Sequence, residues 1–364
     1  MTYTPAYFDK VIERRGTNSG KWDNWQTEGT GQLVAMGIAD TDFRPPREVV
    51  TAVIERAQHG IFGYGKYGEN YRESVMDWHL KRHQIHYQKE SIFFTPNVLV
   101  ALNNVVRALT EEGERIMLFN PTYGPLEQQP LFAKREVVRA RLLKKGNRYE
   151  IDMAALEELM ATEVKLFILC HPHNPTGRVW TEPELKAIVT SCQRHGVLIV
   201  FDEIHSDIIM PDQHFIPLMA VARELNYNQN VISLNAPTKT FNSSGLQVAY
   251  YIAENPDHVE KINQVRAYSH TTDYIYGNYH YLLQALAAVP QVRVTALEGT
   301  YLAWLDVSAL NVSEEDLRTR LVTSGVAILS NSDFFEENLF IRVNLATARQ
   351  TLEKGVAALV QGLS

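Results

Sequence analysis

The sequence has little that would cross-link the protein or attract a charged partner. It contains two cysteines among 364 residues, Cys170 and Cys192. Each lies in a strongly patterned segment, so we expect two buried, reduced thiols and no disulfide framework. The formal net charge is −7 and the pI is about 6.0. This balance excludes a strongly basic surface and predicts binding to neither nucleic acid nor an anionic membrane.

Long apolar runs are also absent. The longest have the length of a strand, far below the ~20 residues of a membrane helix. The first residues, 1–5, lack the basic and apolar stretches of a secretory signal. No linker rich in Gly, Ser or Pro and no repeat interrupts the chain. With 45% hydrophobic and 21% charged residues, the composition is typical of a globular protein, and we expect a cytoplasmic one.

The sequence does contain an alternation of short apolar segments with longer segments of helical period. The apolar segments, which we predict to be strands, are 91–94, 115–119, 164–170, 197–201, 231–234 and 248–252. The alternation predicts βα units and hence an α/β fold with a mostly parallel sheet covered by helices. One helix is predicted from Val98 to Leu109. Another is predicted between Thr181, which opens a capping box, and Gly196, which ends it.

The character of the sequence changes after Tyr250. Helical segments rich in Tyr and His are followed by two further predicted strands, 299–306 and 339–344. We therefore predict a large domain of residues 48–275 and a smaller α+β domain of residues 276–364. An N-terminal arm, residues 1–47, is expected to contribute to the smaller domain.

Three short polar segments follow predicted strands, at residues 171–177, 202–205 and 235–242. The carboxyl ends of parallel strands meet at one edge of a sheet, where α/β proteins bind ligands. Pyridoxal phosphate requires an amine for its aldehyde, a carboxylate for its ring nitrogen and a donor for its phenolic oxygen. Because Lys239, Asp202 and Asn174 offer these three groups, the sequence predicts a pyridoxal phosphate site.

Some of the candidate residues also have a purely structural explanation. Asn174 could simply start a turn. His205 could cap the strand, although imidazole is a tunable donor, which favours a contact with the phenolic oxygen. Tyr123 either covers one face of the cofactor ring or is simply a tyrosine of the core or of a turn. Asp202 closes an apolar strand, where an unpaired carboxylate is costly, so a protonated pyridinium is its expected partner.

Donors for the cofactor phosphate are predicted at the start of the helix that opens at Val98. Asn97 and Val98 follow a strand, and the free N–H groups and positive dipole end of that helix would hold a dianion. Alternatively, Asn97 only caps the helix. Thr238, directly before the lysine, adds a hydroxyl.

Two motifs suggest other ligands. Residues 63–68 match G-x-G-x-x-G, but the preceding segment, 49–59, has a helical period, so the βα context of a dinucleotide site is missing. His79 and His83 have the i, i+4 spacing of metal ligands. No Glu follows His79, however, and we interpret both as residues on the surface of an amphipathic helix. We predict no metal site.

Several runs together resemble the fold type I, aspartate-aminotransferase-like pyridoxal phosphate enzymes, and among them the branch of cystathionine β-lyases and related carbon–sulfur lyases. The resemblance covers nearly the full length. The runs that carry it are 15–23, 38–43, 60–64, 172–178, 202–207, 236–242 and 301–306.

This resemblance implies an α/β fold with a large, mostly parallel sheet of seven strands and a smaller α+β domain. It implies that Lys239 binds pyridoxal 5'-phosphate covalently and forms the catalytic set with Asp202 and Tyr123. Asp202 would contact the ring nitrogen, Asn174 the phenolic oxygen, and Tyr123 would stack on the ring.

The resemblance also implies residues that bind the substrate and the neighbouring subunit. Arg342 would clamp the α-carboxylate of a small amino-acid substrate, which suits a planar bidentate donor, and Ala39 would contact the same substrate. Tyr64 would reach the cofactor phosphate of the neighbouring subunit. A homodimer with shared active sites is therefore expected.

The implied reaction is β-elimination from an S-substituted L-cysteine such as cystathionine, which gives pyruvate, ammonia and a thiol. His205 stands where many aminotransferases have a tyrosine, and this favours the lyase. An aminotransferase is the main alternative. A regulatory protein that keeps the cofactor but has vestigial activity is the second, because the segment between Asn242 and Gly299 is shorter than in the family pattern.

Overall fold

The computed structural model describes residues 3–24, 34–62, 67, 69–266, 269–334 and 338–364. The chain forms two compact units, Met1–Val265 and Arg266–Ser364. The domain boundaries expected from the sequence, at residues 47/48 and 275/276, remain a prediction. Within the described part of the chain, no helix is both long and apolar enough to cross a membrane.

The first unit contains nine strands and nine α-helices among its described residues. The strands are β1 Ile92–Thr95, β2 Arg115–Asn120, β3 Glu136–Arg141, β4 Leu143–Lys145, β5 Arg148–Glu150, β6 Val164–Cys170, β7 Leu198–Asp202, β8 Val231–Asn235 and β9 Ala249–Ala253. The helices are α1 Pro5–Phe8, α2 Arg47–His59, α3 Glu69–His83, α4 Val98–Leu109, α5 Gly124–Phe132, α6 Met153–Met160, α7 Glu182–His195, α8 Leu218–Glu224 and α9 Pro256–Arg266.

Seven of these strands, as far as the chain is described, form one sheet in the order β1-β9-β8-β7-β6-β2-β3. Strands β3, β2, β6, β7 and β8 are parallel, whereas β9 runs antiparallel to both of its neighbours. The central strands bury alternate residues in two hydrophobic cores, for example Phe167 on one face and Ile168 on the other. The predicted mostly parallel sheet, covered on both faces, is confirmed.

The helix signals in the sequence correspond to real caps. Helix α4 spans the predicted residues, and the Asn97 side chain accepts a hydrogen bond from Val100 N at 2.9 Å. Thr181 and Glu184 form the expected capping box of α7, and Gly196 ends that helix at φ 68°. Both cysteines are buried and free. Local sequence therefore determines where these helices begin and end.

The interpretation of His79 and His83 as surface residues is wrong. Both lie on α3, but His79 is buried, with Nε2 2.8 Å from the Tyr250 hydroxyl. His83 is buried as well, with Nε2 3.1 Å from Asp207 Oδ1. Among the described residues, no group of three or more His, Cys, Asp or Glu side chains could hold a metal ion. The two histidines are instead partners for buried polar groups.

The second unit combines a small antiparallel sheet with three helices in its described part. The strands are β10 Arg293–Val294, β11 Leu302–Asp306, β12 Leu329–Ser330 and β13 Phe340–Asn344, in the order β10-β11-β13-β12. The helices are α10 Ser269–Leu286, α11 Glu314–Ser324 and α12 Arg349–Leu363. The two strands predicted for this region correspond to β11 and β13, which pair with each other. Leu305 and Ile341 from this pair pack in a core that is separate from those of the large sheet.

A close approach between α11 and α12 gives a testable prediction about the second unit. A Cβ at Gly362 would lie 2.8 Å from Leu321 Cδ2 and from Ser324 Oγ. We expect Gly362→Ala to destabilise this unit by roughly 1–3 kcal/mol through overpacking. Gly355, on the same helix, has no atom within 4 Å of such a Cβ. Gly355→Ala should therefore stabilise by roughly 0.5–1 kcal/mol. Urea unfolding of both variants checks this, and equal effects would contradict it.

Candidate active site

A cavity of about 380 Å³ lies at the carboxyl edge of the large sheet. Cys170 and Asp202, the paired last residues of β6 and β7, contribute to its wall. The sequence-predicted residues that line this cavity are Ala39, Asn97, Val98, Tyr123, Asn174, Asp202, His205, Thr238 and Lys239. Residues from separate segments of the first unit are thus brought together in one place.

Asp202 provides a buried carboxylate at the end of β7. It is 4% exposed, and Oδ1 accepts a hydrogen bond from Ile204 N at 3.1 Å. Burial raises the pKa of Asp202 to about 6, although the Ile204 N–H and the charge of Lys239 oppose this. A cation beside this carboxylate would favour its ionised form. The position is therefore suited to a positively charged ligand group.

Lys239 lies in the turn that follows β8, and its Nζ donates a hydrogen bond to Ala39 O at 2.5 Å. Burial lowers the pKa of Lys239, with the charges of Asp40 and Asp202 acting in the opposite direction. A lower pKa increases the fraction of neutral amine, and only the neutral amine acts as a nucleophile or as a base.

The segment that contains Ala39 is fixed to the Lys239 turn by Asn242. The Asn242 side chain donates to Thr41 O at 2.9 Å and to Phe43 O at 2.8 Å, and it accepts from Thr41 N at 3.2 Å. These residues are about 200 positions apart in the sequence, so no local pattern could have predicted the contact. Asn242 thereby holds the wall of the cavity that faces the lysine.

The structure excludes a core role for Tyr123 but confirms the cap role of Asn97 and the turn role of Asn174. Tyr123 is 42% exposed, which excludes a core tyrosine. Asn97 does cap α4, and Asn174 does lie in a turn, inside the bridge between His173 and Arg178. Both asparagines nevertheless line the cavity. The structural role and a ligand-binding role are therefore compatible at these two positions.

His205 is half-buried beside the cavity, and burial followed by the charge of Lys239 lowers its pKa. Both effects favour the neutral form of the imidazole. Sequence reasoning missed several further lining residues, among them the polar Ser244 and Gln247. Gln247 accepts from Asn97 Nδ2 at 3.1 Å and donates to Ser244 O at 3.0 Å. Ser244 begins a short 3₁₀ helix, Ser244–Leu246, and Gln247 directly follows it, so neither amphipathic periodicity nor a strand end indicates a site here.

Glu203, also missed, is buried directly beside Asp202. The Ser233 hydroxyl donates to its Oε2, and among the described residues Oε1 has no hydrogen-bond partner. Burial raises the pKa of Glu203 to about 7, whereas the Ser233 and Leu218 donors lower it. The folded protein therefore holds this proton more tightly than the unfolded chain does.

This difference predicts how stability depends on pH. The stabilising contribution of protonated Glu203 is complete below its unfolded pKa and is lost as the pH rises through about 7. The free energy of unfolding of wild type should fall by about 3 kcal/mol over this range of pH. Glu203→Gln cannot ionise and should not show this fall. Urea unfolding of wild type and variant at about pH 5 and about pH 8 measures this. The same pH dependence in both proteins would contradict the prediction.

The remaining two predicted residues are Arg342 and Tyr64. Arg342 is on β13 of the second unit, paired with Trp304 and Leu329 of the flanking strands, and its guanidinium lies 4.6 Å from the centre of the Phe334 ring. Tyr64 and most of the 63–68 motif lie outside the described residues. The substrate and subunit roles of Arg342 and Tyr64 stay predictions.

Comparison with known proteins adds independent information. The model of the aminotransferase class I and II family matches residues 32–273. Cystathionine β-lyase PatB of Bacillus subtilis (strain 168) is 32% identical over 389 aligned residues, which cover 98% of this chain and 100% of the relative. Because this alignment is longer than the 364-residue chain, the relative has segments that the chain lacks.

Two solved structures resemble the chain over its full length. Cystalysin from Treponema denticola, which contains a pyridoxal 5'-phosphate cofactor, has a TM-score of 0.69 and 26% identity, covering 100% of this chain and 99% of the other. The pyridoxal-phosphate-bound C–S lyase from Staphylococcus hominis has a TM-score of 0.64 and 27% identity, with the same coverage. Together with the family match over most of its length, these likenesses show that the chain belongs to the aminotransferase class I and II family.

Proposed function

We propose that this protein is a pyridoxal-phosphate-dependent carbon–sulfur β-lyase of the cystathionine β-lyase type. It would convert an S-substituted L-cysteine and water into pyruvate, ammonia and a thiol. The observation that carries the proposal is that Lys239, Asp202 and Asn174 line one cavity. The full-length similarity to a cystathionine β-lyase supports this choice of reaction. A cytoplasmic location is part of the proposal.

The residues that line the cavity fit the cofactor. Asp202 is a buried carboxylate whose ionised form a pyridinium nitrogen would stabilise, and Lys239 is an amine of lowered pKa for the aldehyde. The start of α4, with Asn97 and Val98, offers N–H groups for the phosphate. The other residues that would contact the cofactor are Tyr123 on the ring face, Asn174 and His205 on the phenolic oxygen, and Thr238 on the phosphate.

The reaction requires movement of a proton at Cα and loss of a thiolate from Cβ. When bound, pyridoxal phosphate supplies an electron sink for the negative charge that develops at Cα. The Lys239 amine, whose pKa burial lowers, takes the Cα proton. Asp202 would hold the ring nitrogen of the cofactor in its protonated form, and Arg342 and Ala39 would each bind the α-carboxylate of the substrate.

An aminotransferase is the second candidate, because the family to which the chain belongs bears that name. Both reactions begin with removal of the Cα proton, so Lys239 and Asp202 serve either one. Elimination requires a leaving group on Cβ. Purified protein should therefore release pyruvate and methanethiol in equal amounts from S-methyl-L-cysteine. It should release no pyruvate from L-norvaline, which has the same chain length but no leaving group on Cβ. Failure to release thiol would overturn the proposal.

The proposed working unit is a homodimer in which each site takes Tyr64 from the neighbouring subunit. Support comes from α2, none of whose residues is buried although Val50, Val53 and Ile54 are apolar. Ile61 and Phe62, which follow this helix, are also exposed. An apolar surface of this kind is suited to an interface with another copy of the chain.

Hybrid dimers test the shared site. Lys239→Ala and Tyr64→Ala subunits should each be inactive alone. After mixing and exchange, half of the dimers would be hybrids with one intact site, which gives about a quarter of wild-type activity. A mixture of Lys239→Ala with Asp202→Ala is the matched control and should remain inactive, because both residues would act in the same subunit. A fully active monomer would contradict the dimer.

A further inference from the structure

Another carboxylate with a buried side chain, Asp207, contacts the residue that follows Lys239. Its side chain is 8% exposed. The Thr240 hydroxyl donates to Oδ2 at 2.7 Å, and Trp78 Nε1 donates at 3.0 Å to Oδ2 and at 3.1 Å to Oδ1. His83 Nε2 lies 3.1 Å from Oδ1. Asp207 therefore joins the loop after β7 to α3 and to the residue that follows Lys239.

The chemistry of these contacts requires an acceptor at position 207. Trp78 Nε1 is a donor only, and the Thr240 hydroxyl points its proton at the carboxylate. Burial would raise the pKa of Asp207, but the hydrogen bonds from His83, Thr240 and Trp78 hold it below its usual value. An amide in this place would offer one acceptor oxygen instead of two and no negative charge to bind the donors.

The contact with Thr240 bears directly on Lys239. The turn is held through its backbone by Phe241 N to Pro237 O at 2.9 Å and Ser243 N to Thr238 O at 3.0 Å. Two side chains anchor it to other parts of the first unit, Asn242 to the segment with Ala39 and Thr240 to Asp207. Lys239 directly precedes Thr240, one peptide bond away, and lies three residues before Asn242. A shift of this peptide would move the amine relative to any group in the cavity.

We propose that Asp207 is a positioning residue for Lys239 and acts through the hydroxyl of Thr240. Trp78 and His83 of α3 fix the carboxylate, and the carboxylate fixes the peptide that carries the lysine. This role rests on the proposed function, in which the Lys239 amine takes the Cα proton. Misplacement of a reacting group by about 1 Å lowers a rate by about 10²-fold, so the anchor matters for kcat more than for substrate binding.

The test uses Thr240→Val, which removes the hydroxyl at nearly constant volume, and Asp207→Asn. Thr240→Ser keeps the hydroxyl and should rescue the function. Tyr71→Phe is the matched control, because Tyr71 and Asp207 line the same cavity of about 200 Å³, but the Tyr71 hydroxyl donates to Ala249 O instead. Circular dichroism and melting curves establish that each variant is folded.

The first readout needs no cofactor. In the cofactor-free protein, the pH dependence of acetylation by acetic anhydride, followed by mass spectrometry, gives the pKa of Lys239. We expect it to rise toward the ordinary lysine value in Thr240→Val and Asp207→Asn, because a freed lysine turn exposes the amine to water. Thr240→Ser and Tyr71→Phe should match wild type. An unchanged Lys239 titration in folded Thr240→Val would overturn the proposal.

The second readout is the elimination rate of the cofactor-loaded protein. Thr240→Val should lower kcat by about 10- to 100-fold with little change in KM, whereas a loss confined to KM would overturn the positioning role. Trapping the cofactor with borohydride keeps the two proposals separate. Label on a lysine other than Lys239 would refute the proposed function, while the titration of the cofactor-free protein would still decide whether Asp207 and Thr240 position Lys239.

Discussion

Lys239→Ala is expected to lower the rate of β-elimination by more than about 10⁴-fold, because the substitution removes both the cofactor-binding amine and the base for the Cα proton. The effect should appear in kcat. The substitution removes one hydrogen bond, from Lys239 Nζ to Ala39 O, but Asn242 still attaches the same segment through Thr41 and Phe43. Melting temperature should therefore stay near that of wild type.

Lys144, an exposed residue on β4, provides the matched control. Lys144→Ala should retain wild-type turnover. Borohydride reduction of the cofactor-loaded wild type, followed by peptide mapping, should label Lys239 alone. Substantial elimination by Lys239→Ala, or a label on another lysine, would contradict the assignment.

The second large effect is expected for Asp202→Ala, which should lower turnover by about 10³-fold or more. The carboxylate is buried and its pKa is raised to about 6, and a cation beside it would stabilise its ionised form. In the variant, the ring nitrogen would lose the group that keeps it protonated. The protein should still fold, since alanine removes a buried charge and, within the described residues, leaves only the Ile204 N–H without its side-chain acceptor.

Asp212→Ala serves as the control, because Asp212 is an exposed loop residue. It should match wild type in both kcat and melting temperature. Near-normal turnover by folded Asp202→Ala would show that the reaction does not need the Asp202 carboxylate, and would contradict the prediction.

The sheet and the main cavity residues could be predicted because their signals are local. Each central strand is an apolar run, and Asn174, Asp202 and Lys239 each follow one. Parallel strands place such residues at one edge of the sheet whatever their distance in the sequence. The helix caps at Asn97 and Thr181 could likewise be predicted, because each depends on only three or four consecutive residues.

Other features could not be predicted because they depend on contacts that leave no local pattern. Strand β3, Glu136–Arg141, alternates charged and small apolar residues at the edge of the sheet, where only one side is paired. The burial of His79 depends on Tyr250, 171 residues away. The anchors of the Lys239 turn, Asn242 and Asp207, are similarly remote from most of their partners. The sequence thus predicted which groups meet at the cavity. The contacts that hold these groups in place are seen only in the structure.

The choice between lyase and aminotransferase is tested most directly by measuring both reactions in one preparation of the purified, pyridoxal-phosphate-loaded protein. One arm contains cystathionine and follows pyruvate and thiol. The other contains alanine or aspartate with a 2-oxo acid and follows the new amino acid. We expect pyruvate and thiol in equal amounts. Transamination should be slower by at least about 10²-fold, a difference of roughly 2.7 kcal/mol in barrier. Comparable rates, or transamination without thiol release, would contradict the lyase.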